Sequence, residues 1–186
     1  MKASVLLCIL GIVLFGCSDS PVGPDPPAAP NTAAALFPDV NLLAKAHNKG
    51  LRLLTVSSTQ VYVDGASEVW HYQYVDTTAP YAVYWFHANS GGIGFDSNSA
   101  LTVGIAPVTH AWFNSDSAMR IAERNGGSSF RTDNPNYTII ATLGEPVVPD
   151  PATTWWIAYR SADDHSASLL LGIDATTGAV SLRYPE

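Results

Sequence analysis

Residues 155–180, WWIAYRSADDHSASLLLGIDATTGAV, constrain the fold of this chain more than any other stretch. Trp155, Ile157 and Tyr159 alternate with Trp156 and Ala158. Leu169, Leu171 and Ile173 alternate with Leu170, Gly172 and Asp174. That period of two predicts a pair of half-buried strands, the second closed by the turn D-A-T-T-G. Residues 70–93, WHYQYVDTTAPYAVYWFHANSGGI, repeat the pattern around a shorter loop. Trp70, Tyr72 and Tyr74 match Trp155, Ile157 and Tyr159, and the end FHANSGGI matches IDATTGAV. One such unit buries a single sheet face, so a duplicate gives it something to share a core with.

A short helix is expected ahead of each set of strands. Residues 39–49, DVNLLAKAHNK, carry apolar positions near helical spacing, with Asp39 as N-cap and Gly50 as stop. Residues 115–125, SDSAMRIAERN, have Ser115 as cap, Asp116 in the first turn where a negative charge suits the helix dipole, and Gly126-Gly127 as stop. Strands are expected over 51–63 (interrupted near Ser57-Ser58), 69–75 and 81–88. A second set is expected from Phe130 through 137–143, then 153–160 and 168–175. The expected fold class is therefore α+β: two tandem helix–strand–strand–strand units, each an antiparallel sheet packed by one helix. The units occupy residues 36–96 and 113–186, with 97–112 as connector, in which Leu101, Val103 and Ile105 are a further strand candidate.

Residues 113–182 carry a second signal: SDSAMRIAERNGG, then Phe130, Trp155-Trp156-Ile157, and the run IDATTG ending at Gly178. Together these resemble a PepSY-type domain, in which a short helix, a W-x-V/I strand and a final I-D-A-x-T-G turn recur. Residues 40–95 resemble a degenerate copy, with Phe86-His87-Ala88 in place of the I-D-A triplet. The resemblance implies a PepSY/cystatin-like architecture and extracytoplasmic, non-enzymatic roles, among them restraint of a peptidase. It also implies a structural role for Asp174 and Gly178. Asp174 can accept bonds from backbone N–H groups two or three residues on, and Gly178 can take positive φ.

The N-terminus gives an address. Lys2 precedes an apolar run of about eleven residues, 5–15, too short to span a bilayer of ~30 Å as a helix. Residues 1–16 therefore read as a signal peptide. The run ends in Leu14-Phe15-Gly16-Cys17, which resembles the bacterial lipobox and implies that Cys17 becomes the lipidated first residue of the mature chain. Cys8 falls in the discarded segment, so Cys17 is the one mature cysteine and no internal disulfide can form. Ser18 after the cysteine, by resemblance to lipoproteins of two-membrane bacteria, favours the outer membrane over the inner one. Residues 17–35 contain five prolines and no aromatic residue, and read as a tether between that anchor and the folded part.

Composition excludes some functions. The formal charge is -7 and the nine Lys and Arg form no run, so nucleic acid would be repelled rather than held. No G-x-S-x-G or H-E-x-x-H motif occurs, no mature cysteine is free for nucleophilic work, and no paired carboxylates accompany Asp174. Five histidines are present, and only His71 and His87 fall on one face of neighbouring predicted strands. Without cysteine they are short of a structural zinc set, so no metal and no cofactor is expected. Trp85 shares that face and Trp156 occupies the matching position in the second half. Trp85, Trp156, His71 and His87 form the candidate binding face, unless the other unit covers it. The expected partners are a membrane, through the anchor, and an envelope protein or peptide. The alternative is a small apolar ligand held in a cleft between the units.

Overall fold

The computed structural model describes residues 31–78, 82–100, 106–144, 153–163 and 168–185. The signal segment, Cys17 and most of the tether lie outside the described residues, as do Leu101, Val103, Ile105 and the acid and histidine at 164–165. Helix α1 (Ala33–His47) is followed by strands β1 (Leu51–Ser58), β2 (Val69–Asp76), β3 (Ala82–Asn89) and β4 (Gly92–Ala100). Helix α2 (Ser115–Ala122) kinks into α3 (Ser128–Asp133). Strands β5 (Tyr137–Gly144), β6 (Thr154–Ser161), β7 (Ser168–Asp174) and β8 (Val180–Tyr184) follow.

The two expected three-stranded sheets do not form. All eight strands belong to one sheet in the order β4-β3-β2-β1-β5-β6-β7-β8, and every ladder is antiparallel. The halves join where Thr55–Ser58 of β1 pair with Ala141–Gly144 of β5. Separate sheets would have left both of these apolar strands with an unpaired edge against the core, and the ladder removes that penalty. Each half also has a fourth strand that was not expected. β4 and β8 are outermost and exposed along almost their whole length, so neither carries the apolar alternation that reveals a strand.

Both helices lie on one face of the sheet. Trp70, Tyr72, Tyr74, Phe86, Trp155, Ile157, Tyr159 and Leu171 are fully buried beneath them in one continuous core. The two repeat tryptophans meet edge to face, 6.2 Å between ring centroids, so the core crosses the junction of the halves. Each indole N–H has a partner at the entrance of a helix. Trp70 donates to the Asn31 carbonyl at 2.8 Å and Trp155 to the Phe113 carbonyl at 2.9 Å. A smaller cluster, Leu54, Val75 and Val83 backed by Trp85, forms on the opposite face. Leu54 reaches it by simple alternation after Leu53, and the bulge between Leu53 and Thr55 then returns Val56, opposite Tyr72, to the main core.

The helix ends differ from the local reading. α1 begins at Ala33, ahead of both the expected Asp39 cap and the tether boundary at 35, and runs through Pro38. Its first N–H groups are capped from the other half: Ala33 donates to Ser115 Oγ at 3.1 Å and Ala34 to Asn114 Oδ1 at 2.8 Å. Asn114, not Ser115, is the N-cap residue of α2, and its Oδ1 also accepts from Ser115 N–H. Ser115 Oγ donates to the Gly65 carbonyl at 2.7 Å. Gly126, with φ +119°, bends the helix rather than ending it, and Phe130 lies in α3 rather than in a strand.

Candidate binding surfaces

His71 and His87 are cross-strand partners, and Gln73 and Trp85 are the next pair along the same face. Trp156 lies on that face too, but on β6, four strand spacings away or about 19 Å. The four candidate residues thus share a face without converging. No helix covers that face among the described residues, so the other half does not bury Trp85 and Trp156; each is partly exposed. Trp85 rests on the Leu54/Val75/Val83 cluster. Trp156 lies over Gly172, where an added Cβ would stand 3.0 Å from its ring.

His87 turns away from His71. Its imidazole crosses β4 at Gly94, where a Cβ would come within 2.6 Å of the ring, and its Nδ1 meets Asp96 Oδ1 at 2.5 Å. A register shift between Trp85 and Phe86 brings Asp96 into reach. Among the described residues, no group of three or more His, Cys, Asp or Glu is placed to hold a metal ion.

The D-A-T-T-G turn is closed by its own residues. Asp174 Oδ1 accepts from Thr176 N–H at 2.8 Å and Thr177 N–H at 2.7 Å, while Gly178, at φ +77°, donates its N–H to the Asp174 carbonyl. These bonds, Thr177 first and Thr176 next, hold the Asp174 carboxyl below its usual range. The matching turn in the first half uses Asn89 Oδ1 against Gly91 N–H at 2.8 Å and Gly92 at φ +128°.

One polar cluster gave no sequence signal. Tyr159 O–H donates to Glu123 Oε1 at 2.9 Å, and Arg131 grips both oxygens of Glu123, closest at 2.6 Å. Gly127 admits the phenol, since a Cβ there would fall 2.3 Å from its oxygen. Burial above all, then the Glu123 charge, raises the Tyr159 pKa, so the phenol stays protonated and is a donor, not a base. The partners of Glu123 sit 36 and 8 residues from it in sequence, the nearer one, Arg131, beyond the kink at Gly126.

Two grooves on the helix side of the described residues bear on ligand binding. One of about 410 Å³ lies between α1 and the connector, lined chiefly by Phe37, Leu53, Val108, His110 and Trp112. The other, also about 410 Å³, runs between α2 and the D-A-T-T-G turn, past Phe113, Arg120, Ile121, Arg124 and Thr177. A separate pocket shares Arg124 with it and lies beside Asn125, Gly126 and Arg183 of β8.

The class these features define is a single open antiparallel sheet with helices on one face and both edges bare among the described residues. No family model, curated protein or solved structure matches the chain. No helix among the described residues is long and apolar enough to cross a membrane.

Proposed function

We propose that this chain is a lipid-anchored protein of the cell envelope, held at the outer membrane through Cys17, whose folded region binds another envelope protein or peptide. The observation that carries this reading is the pair of unpaired, exposed edge strands, β4 and β8, which offer backbone donors and acceptors to an incoming chain. The lipobox, the proline-rich tether and the PepSY resemblance support it, and the resemblance places a peptidase among the partner classes. A non-catalytic role is in keeping with carboxylates bound up in structure, Asp174 by its turn and Glu123 by Arg131.

Two measurements test the reading. The intact mass of the protein from the membrane fraction should exceed the polypeptide from Cys17 by its acyl groups, and Cys17→Ala should release it; a bare cysteine would remove the anchor. A photo-crosslinking residue at Ile93 or Leu182, exposed on the two edges, should trap discrete adducts in intact cells. Adducts at neither edge would contradict the binding role.

The groove beside Trp112 favours a second reading, carriage of a small apolar ligand. That site lies between α1 and the connector and uses neither Trp85 nor Trp156. Tryptophan fluorescence unmoved by a broad panel of lipids and metabolites would sink it.

A further inference from the structure

The β8 edge and the groove beside it share one chemistry. Among the described residues β8 pairs only with β7, and all five of its residues are exposed. Its register fixes which side each residue takes. Arg183 stands opposite the buried Leu171, on the helix side. Leu182 and Tyr184 stand opposite Gly172 and Leu170, on the open side, and are 39% and 65% exposed.

On the helix side the Arg183 guanidinium lies across the Gly126 kink, 3.2 Å from the position a Cβ would take, with Arg124 lining the same groove. Neither arginine has an ion pair or side-chain hydrogen bond among the described residues. Arg120 lines the neighbouring groove between α2 and the D-A-T-T-G turn, where it contacts Ser117 and Asp116. Two of the nine basic residues in a chain of net charge -7, Arg124 and Arg183, thus lie together at one bare strand.

We propose that β8 is the docking edge for an extended segment in which acidic and apolar residues alternate. This rests on the binding role proposed above and names the partner's chemistry. An added strand alternates its side chains between the two faces. One set meets Arg183 and Arg124, where carboxylates are complementary and form bidentate bonds to guanidinium. The other set lies beside Leu182 and Tyr184, where apolar residues cover exposed surface. The same features reject a second copy. Antiparallel β8–β8 pairing keeps the helix sides together and sets arginines against arginines, which disfavours it. The bulge at Ser181, whose Oγ donates to the Gly172 carbonyl, further blunts the edge against indiscriminate pairing.

The test uses the full mature chain and fluorescent nonapeptides alternating Glu with Val, Lys with Val, and Glu with Val around a central proline. Only the first should bind. Its affinity should fall about tenfold in Arg183→Ala, fall again in the double variant with Arg124→Ala, and weaken with added salt. Bound peptide should slow amide exchange in β8 while leaving β4 unchanged. Equal binding of the Lys peptide, unchanged affinity in the arginine variants, or protection on β4 or the Trp85 face would each overturn the proposal. So would dimerisation through β8 without peptide. Crosslinks from Ile93 on β4 that persist while the acidic peptide fails would leave the broader binding role standing and remove this one; absence of adducts at both edges would remove both.

Discussion

Gly65 and Asn114 do at the residue scale what the β1–β5 ladder does at the level of strands: they tie one half of the chain to the other. Gly65 has φ +82°, and a Cβ there would meet the backbone nitrogen of Asp116 at 2.3 Å. Backbone cannot swing aside as a side chain can, so Gly65→Ala should cost about 2–4 kcal/mol. Gly92 supplies the control, since it also has positive φ, +128°, but nothing lies within 4 Å of its added Cβ. Gly92→Ala should cost about 1 kcal/mol. Urea unfolding of both variants checks the ranking. Asn114 caps α2 with the same oxygen that accepts from Ala34, and its Nδ2 donates to Thr32 Oγ1 at 2.9 Å. Asn114→Ala should therefore cost about 2–3 kcal/mol, more than the ~1 kcal/mol typical of a single cap. A loss no larger than a single cap, measured the same way, would mean that the contact with α1 contributes little.

At the scale of elements, the β7–β8 turn should respond to acid. The folded carboxyl of Asp174 titrates below its ordinary value of 3.8, because Thr177 and Thr176 donate backbone bonds to it. A depressed carboxyl pKa contributes stability that is present in full above the unfolded value. That stability is lost as pH falls through the folded value. Amide exchange at Thr176 and Thr177 should quicken as pH drops below about 4, beyond its intrinsic pH dependence, and Asp174→Asn should lose most of that excess. An unchanged profile in the variant would mean the charge is not what closes the turn. This turn was readable from residues alone, because Asp, Thr and Gly sit two to four positions apart and bond within that span. So was the aromatic alternation of β2 and β6, which follows from one buried face. The start of α1 was not readable, since its caps come from Asn114 and Ser115, some 80 residues on. β4 and β8 escaped notice because an exposed edge imposes no apolar period. The fused sheet escaped for a related reason: a strand's alternation shows that it has a buried face, not which strand lies beside it.

At the scale of the whole molecule, a core that crosses the junction predicts that neither half unfolds alone. Trp70 and Trp155 touch, and β1 and β5 complete each other's pairing. Thermal unfolding followed by tryptophan fluorescence and by far-ultraviolet circular dichroism should give coincident single transitions. Trp155→Ala should lower stability by about 3–5 kcal/mol and shift both signals together. Two separated transitions would mean the halves are independent units joined by a weak seam.

Native-state amide hydrogen exchange reads at once whether the sheet is fused in the middle and bare at both edges. Val56 of β1 and Leu143 of β5, register partners across the seam, should exchange only by global unfolding. Amides along β4 and β8 should exchange far faster in the free protein. Fast exchange at the seam would mean that the halves are not fused, and strong protection along β8 with no partner present would mean that it is not a free edge.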